Sequence, residues 1–231
     1  MARSAIFNSA SAAVYLHGLA SSPRSTKAQA YARELERHGV GYSCPDLNLP
    51  EFETLTVTRM LAQTRTALEE ARPGPVVLIG SSLGAFVAVH AAARAIEEGW
   101  PRRVDRMILL APALDFGSDR PRQIGDRRAT DWRETGKMRV MHEAWDEWRE
   151  VGYELYRDAR HYDAFALPDP VPTLIVQGRQ DASVDPAMVE AWASARPSVK
   201  LILVDDEHRL GNSWDLIWRE SERWLGLTRA I

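Results

Sequence analysis

The chain has a single cysteine, Cys44, among its 231 residues, so no disulfide can form within it. That scarcity fits a reducing compartment and sets a cytoplasmic location as the expectation. Cys44 ends an apparent strand in Gly41-Tyr-Ser-Cys-Pro-Asp46 and reads as a small buried residue, not a nucleophile. Long apolar runs are missing as well. No stretch approaches the roughly 20 residues that span a bilayer, and residues 1–13 lack the apolar centre of a secretory signal. Positive charge is not in excess: 29 Lys and Arg stand against 32 Asp and Glu, for a formal net charge of -3. This gives no electrostatic basis for a nucleic-acid or anionic-membrane partner. The six histidines are scattered, without the spacing of a metal site, so neither a metal nor a cofactor is expected. Internal repeats and low-complexity linkers are also absent, and nothing in the sequence sets an oligomeric state.

What the chain does have is a rhythm of short apolar runs and longer helical patterns. Val14–His17, Gly41–Pro45, Val76–Ile79, Arg106–Leu110, Thr173–Gln177 and Val199–Val204 read as strands. Several are apolar throughout, as parallel strands covered on both faces must be. Between them, apolar residues recur at helical spacing over Lys27–His38, Thr58–Ala71, Leu83–Ile96, Pro186–Ala195 and Asn212–Leu225. The expected fold class is therefore α/β: a mostly parallel sheet of about six strands with helices on both faces, in one domain spanning 1–231. Residues 114–168 break the rhythm, being charged and rich in Trp and Tyr, and read as an inserted cap. Two segments there, Lys137–His142 and Val151–Tyr156, alternate with period two and suggest a hairpin. A helix through Met141, Trp145 and Trp148 is the competing pattern.

Candidate chemistry sits at the strand ends, where open parallel sheets carry their sites. Gly80-Ser-Ser-Leu-Gly84 is a G-x-S-x-G motif directly after one strand and directly before an alanine-rich helix. That is the setting of a nucleophile elbow, with Ser82 at the tip and the Leu83 N–H beside it. A plain helix cap at Ser81 or Ser82 is the structural alternative. The loop His17-Gly-Leu-Ala20 follows the first strand and offers the Leu19 N–H as a second oxyanion donor, while the His17 side chain itself reads as structural. Gly178-Arg-Gln-Asp181 places a carboxylate after the fifth strand. Its competitors are Asp185, which reads as a helix N-cap, and Asp169, which reads as loop. His208 follows the last strand in Asp205-Asp-Glu-His208, where the three acids otherwise make a solvated turn. His38 lies at a helix end, His90 inside a helix, and His142 and His161 in the presumed cap. The order Ser82, Asp181, His208 is that of one serine-hydrolase fold and not of the others.

With these motifs, Tyr15-Leu-His-Gly-Leu-Ala-Ser-Ser-Pro23, Ser25-Thr-Lys-Ala28, Ile79-Gly-Ser-Ser-Leu-Gly84, Gln177-Gly-Arg-Gln-Asp181 and Asp206-Glu-His-Arg-Leu210, the chain resembles α/β-hydrolases, specifically small bacterial YqiA-like esterases. It is also similar to the abhydrolase depalmitoylases. The resemblance implies a cofactor-free hydrolase of a small-molecule acyl ester or thioester. It puts the catalytic roles on Ser82, Asp181 and His208 and the oxyanion hole on the Leu19 and Leu83 amides. Leu19 stands where an aromatic residue is common in such enzymes, and the presumed cap is longer and richer in Trp. The Ser25–Lys27 match reads only as helix capping. Trp145, Trp148 and Tyr153 are candidates to line an acyl pocket, or else to pack the cap onto the body. An aminopeptidase or amidase, with Glu143, Glu147, Glu150 and Glu154 receiving a substrate amine, and a non-catalytic binding module are the other functional readings.

Overall fold

Successive side chains of each central strand point to opposite faces of the sheet, and that alternation decides which helix each one meets. The computed structural model describes residues 7, 8, 11–118, 126–169 and 171–227, without the side chains of 126–128. Residues 119–125 of the presumed cap, and most of the N-terminal stretch read for a signal, lie outside them. Six strands form one sheet: β1 (Ala12–Leu16), β2 (Gly41–Ser43), β3 (Val76–Ser81), β4 (Arg106–Leu110), β7 (Thr173–Gly178) and β8 (Val199–Val204). Their spatial order is β2-β1-β3-β4-β7-β8, and every pairing is parallel. Ala12, Val14, Leu16, Val76, Leu78, Met107, Leu109 and Ile175 face one apolar cluster. Their neighbours Ala13, Tyr15, Val77, Ile79, Ile108, Leu110, Leu174 and Val176 face the other. The first cluster is closed by α2 (Val57–Glu69), α3 (Leu83–Glu97) and α6 (Pro186–Ser194), and the second by α1 (Thr26–Arg37) and α7 (Trp214–Leu225). The Tyr31 and Ser221 hydroxyls, 2.8 Å apart, tie α1 to α7. The fold class is the expected one. No helix among the described residues is long and apolar enough to cross a membrane.

Between β4 and β7 the chain forms α4 (Asp126–Thr135), a two-stranded antiparallel sheet of β5 (Lys137–His142) and β6 (Glu147–Gly152), and α5 (Glu154–Ala159). The hairpin pattern prevails over the helix through Met141 and Trp148. The second strand, however, begins four residues earlier than the alternation suggests. The turn is tight: the Trp145 and Asp146 amides both bond the His142 carbonyl, and Asp146 takes a left-handed φ of 52°. Of the apolar positions that prolong the alternation in sequence, Tyr153 sits at the N-cap of α5 and Leu155 lies within it. Trp132, Val151, Leu155 and Tyr156 bury this segment against the first cluster.

His90, inside α3, packs edge-on between Phe86 and Tyr162 with Nε2 buried and unbonded. Burial is the main reason its pKa falls to about 4. An unfolded chain takes up the proton near pH 6.5 and the folded one does not, so stability drops as pH falls from about 6.5 towards 4. The loss reaches about 3 kcal/mol if the whole shift is realised. The variant His90→Phe is expected to flatten that limb of the Tm-against-pH curve. A wild-type and a variant curve that stay parallel would refute this.

Candidate active site

The turn after β3 carries a strained backbone. Ser82 sits at φ 53° and ψ -117°, a conformation that a side chain with Cβ rarely adopts. Its amide donates to the Leu110 carbonyl, and its own carbonyl accepts from Ala85 and Ala113. The flanking glycines are required by close approach. A Cβ on Gly80 would lie 2.5 Å from the Ala85 Cα, and one on Gly84 would lie 2.1 Å from the Leu16 carbonyl oxygen. The elbow is thus wedged between β3, α3 and the end of β1, and Ser82 projects from the carboxyl edge of the sheet.

His208 and Asp181 arrive from the loops after β8 and β7. His208 Nε2 lies 3.1 Å from Ser82 Oγ, and His208 Nδ1 lies 2.8 Å from Asp181 Oδ2. Asp181 is an acceptor only, so Nδ1 carries the hydrogen and Nε2 presents a lone pair to the serine hydroxyl. Asp181 is 3% exposed. Burial alone would raise its pKa, but bonds from His208, the Val184 amide and Gln177 hold it below the ordinary carboxylate value. The Ser183 and Val184 amides both reach Oδ1 at 2.8 Å. Such a chain can take a proton from a serine hydroxyl and hold the resulting imidazolium.

Asp206 went unrecognised in the sequence, where it reads as part of a solvated acidic turn. It is 4% exposed and accepts from the Glu207 amide, the Asn212 amide and the Ser213 hydroxyl. Its loop is pressed onto β7, where a Cβ on Gly178 would lie 2.4 Å from the Asp206 carbonyl oxygen. Asp206 therefore folds the loop that presents His208. Asp206→Asn turns one acceptor oxygen into a donor and should cost about 1.5 kcal/mol. In a thermal melt that is a Tm lower by roughly 3–6 °C, and an unchanged Tm would remove Asp206 from this role. The only sequence hint lay in its place just ahead of His208.

On the opposite side of Ser82, Gly18 packs so closely that a Cβ there would lie 3.3 Å from the Ser82 Cβ. His17 is structural: its Nδ1 donates to the Gly18 carbonyl, and its Nε2 accepts from the Leu47 amide at 3.0 Å. Leu19 lines the same cleft as Ser82. Leu83 opens α3, ahead of its first intrahelical bonds. Among the described residues neither Leu19 nor Leu83 spends its N–H on a protein acceptor.

The cleft over these atoms has a volume of about 510 Å³, and Ser82, His208, Leu19, Lys27, Glu143 and Trp214 are among its walls. The aromatic candidates Trp145, Trp148 and Tyr153 are not among its lining residues. Trp145 stacks on the buried His142 at 3.6 Å, and the Arg149 guanidinium lies over the Trp145 ring. Trp148 is 57% exposed on β6, and Tyr153 packs against Trp132. The hydrophobic surface of Trp145 and Tyr153 is used in joining the β5–β6 hairpin to the body, and that of Trp148 faces solvent. The four glutamates proposed for a substrate amine are dispersed into separate ion pairs with Arg209, Arg149, Lys137 and Arg157, and of the four only Glu143 lines the cleft. Asp185 caps α6 as expected by accepting from the Ala187 amide, and Asp169 accepts from Ser198. The Cys44 thiol is half-buried, and burial pushes its pKa up to about 12. The Ser25–Lys27 segment departs from its expected role: Ser25 makes no side-chain cap, and all three residues face the cleft. No cluster of three metal-ligating side chains occurs among the described residues.

A family model described as an uncharacterised protein family, UPF0227, matches residues 12–221. Among solved structures, the chain is similar to a presumed hydrolase from Agrobacterium vitis S4, with 26% identity, a TM-score of 0.81 and coverage of 96% of this chain and 91% of that one. It is similar to mouse alpha/beta hydrolase domain-containing protein 10, with 22% identity, a TM-score of 0.73 and coverage of 94% and 90%. It is also similar to Est1E from Butyrivibrio proteoclasticus in its structure with ferulic acid, with 18% identity, a TM-score of 0.74 and coverage of 93% and 88%. No curated protein matches.

Proposed function

Because the chain belongs to the UPF0227 family and carries the α/β-hydrolase fold, we propose that it is a serine hydrolase cleaving carboxylic esters or thioesters through an acyl-enzyme. The observation that carries this reading is the unbroken chain from Ser82 Oγ through His208 to the buried Asp181, at 3.1 and 2.8 Å. It opens on a cleft lined by Ser82, His208 and Leu19, and the amides of Leu19 and of Leu83, next to Ser82 in the chain, are both unspent among the described residues.

His208 Nε2 takes the Ser82 proton as Oγ attacks the acyl carbonyl carbon. The carbonyl oxygen gains negative charge, which the Leu19 and Leu83 N–H groups receive. His208 then protonates the leaving alcohol or thiol as its bond to the acyl carbon breaks. Water, losing a proton to His208, attacks the acyl-enzyme and releases the acid and free Ser82. Asp181 holds the tautomer throughout and stabilises the imidazolium. The substrate is a small molecule, and residues 114–168 act as the cap over it. No cofactor enters this scheme.

Hydrolysis of p-nitrophenyl esters of graded acyl length, alongside labelling by a fluorophosphonate probe, tests the reading. Turnover with Ser82 labelled supports it. A chain that neither turns over any ester nor reacts with the probe is a binding module, and the proposal falls.

A further inference from the structure

The wall of the cleft contributed by α1 carries more positive charge than anything in the chain's composition would predict. With a formal net charge of -3, this protein nevertheless lines the space beside Ser82 with Lys27, Arg33 and Arg209 against the single acid Glu143. Glu143 is spent on Arg209 at 2.7 Å. Lys27 is half-buried, and its ammonium donates to the neutral Arg209 carbonyl at 2.7 Å. Burial pushes its pKa below the ordinary value; Arg209 adds to that, while Glu143 opposes it. Arg33 is exposed and has no ion pair among the described residues.

The backbone adds to the same field. Lys27 occupies the first turn of α1, where a cation is disfavoured by the helix dipole. That turn has no acidic residue, and the Ser25 side chain does not cap it. Leu19, Ala30, Leu210 and Trp214 supply apolar surface in the same cleft. The positive groups thus line a partly apolar cavity, and among the described residues neither Lys27 nor Arg33 has an ion-pair partner, Glu143, Asp206 and Asp181 acting on Lys27 without contacting its ammonium.

We propose that the ester this cleft accepts carries an oxyanion, a carboxylate or a phosphate, held by Lys27 and Arg33 beside the scissile bond. This rests on the serine-hydrolase reading of the same site and assigns its substrate class. A bound anion would relieve the two costs that Lys27 bears in the free protein: lost hydration and proximity to the positive helix end.

Matched esters separate the two sources of the anion. One butyrate set has 3-hydroxypropanoate, 3-hydroxypropyl phosphate or neutral 3-methoxypropanol as alcohol; a second pair sets 4-nitrophenyl hydrogen glutarate against 4-nitrophenyl pentanoate. At low salt at least one anionic ester should exceed its neutral counterpart by about tenfold in kcat/KM, and the set identifies carboxylate or phosphate and the arm that bears it. That ratio should fall towards one in Lys27→Met and in the surface variant Arg33→Gln, and persist in Lys27→Arg. Neutral esters turned over as well as every anionic one would overturn the proposal and leave the hydrolase standing. So would a ratio indifferent to both charge-removing variants. Calorimetric titration of the Ser82→Ala protein with glutarate and with inorganic phosphate reads the anion site without turnover. Binding weakened by Arg33→Gln supports it even if no ester is cleaved. No binding of either anion, together with no anionic preference, ends it.

Discussion

Replacing Ser82 by alanine should lower ester turnover by about a millionfold, to the residual rate that oriented amides and binding alone sustain. The physical reason is that nothing nearby can take over. Ser81, the adjacent hydroxyl, lies within β3 and is 8% exposed, and the Cys44 thiol is kept protonated by burial. Alanine keeps the Cβ that strains the backbone at φ 53°, so it neither relieves nor adds to the cost of the elbow. Melting temperature should accordingly stay close to wild type. The pairing of the two readouts separates loss of chemistry from loss of fold. A variant retaining even a hundredth of the wild-type rate would mean that another group attacks the carbonyl.

Gly84→Ala should be the most damaging single-methyl change in the site. Its Cβ would enter the space of two backbone carbonyls, at 2.1 Å from Leu16 and 2.6 Å from His17. No rotamer can relieve a clash between a Cβ and main-chain atoms, so α3 must move off β1 or the loop after β1 must shift. A cost of about 3 kcal/mol or more follows, seen as a Tm lower by roughly 6–12 °C. Because His17 and Gly18 lead directly to Leu19, activity should fall further than stability alone explains. Gly211→Ala, where an added Cβ meets nothing within 4 Å, is the control. Equal melting temperatures for the two variants would refute the argument.

The sheet was legible wherever both faces of a strand are buried. Val76–Ile79 and Met107–Leu110 are apolar because α2 and α3 lie on one side and α1 and α7 on the other. The elbow was legible because tight packing leaves only glycine at positions 80 and 84. Ser82, Asp181 and His208 each follow the carboxyl end of a strand, so their meeting follows from the parallel sheet itself. What escaped notice depends on partners that are distant in sequence or on side chains with no pattern. Helix α4 carries one buried aromatic, Trp132, in a highly charged stretch and shows no apolar stripe. Asp206 looks like one acid among three until its acceptors are seen to be filled by Asn212 and Ser213. Lys27 looks like a helix-start residue because its bond to the Arg209 carbonyl spans 182 positions. The aromatic candidates misled for the converse reason. Trp145 and Tyr153 are large and lie in the inserted segment, but their surface is consumed by His142 and Trp132.

β4 and β7 are hydrogen-bonded neighbours in the sheet, although residues 114–168 intervene between them. The excursion therefore leaves and rejoins the body at adjacent points, and none of Ser82, Asp181 and His208 belongs to it. Closing a longer or shorter excursion between fixed ends changes the entropy only logarithmically with its length. Insertions and deletions there are nearly free of consequence for strand register. Over evolutionary time the two walls of the cleft are then under unequal constraint. The α1 wall is tied to the sheet by Tyr31 and Leu35 and can change only residue by residue. The wall that brings Glu143 can change in length as well as in residue, provided positions such as Trp132 and Leu155 still fill the first cluster. Relatives of this chain are expected to diverge first in what they admit, and only much later in what they do to it.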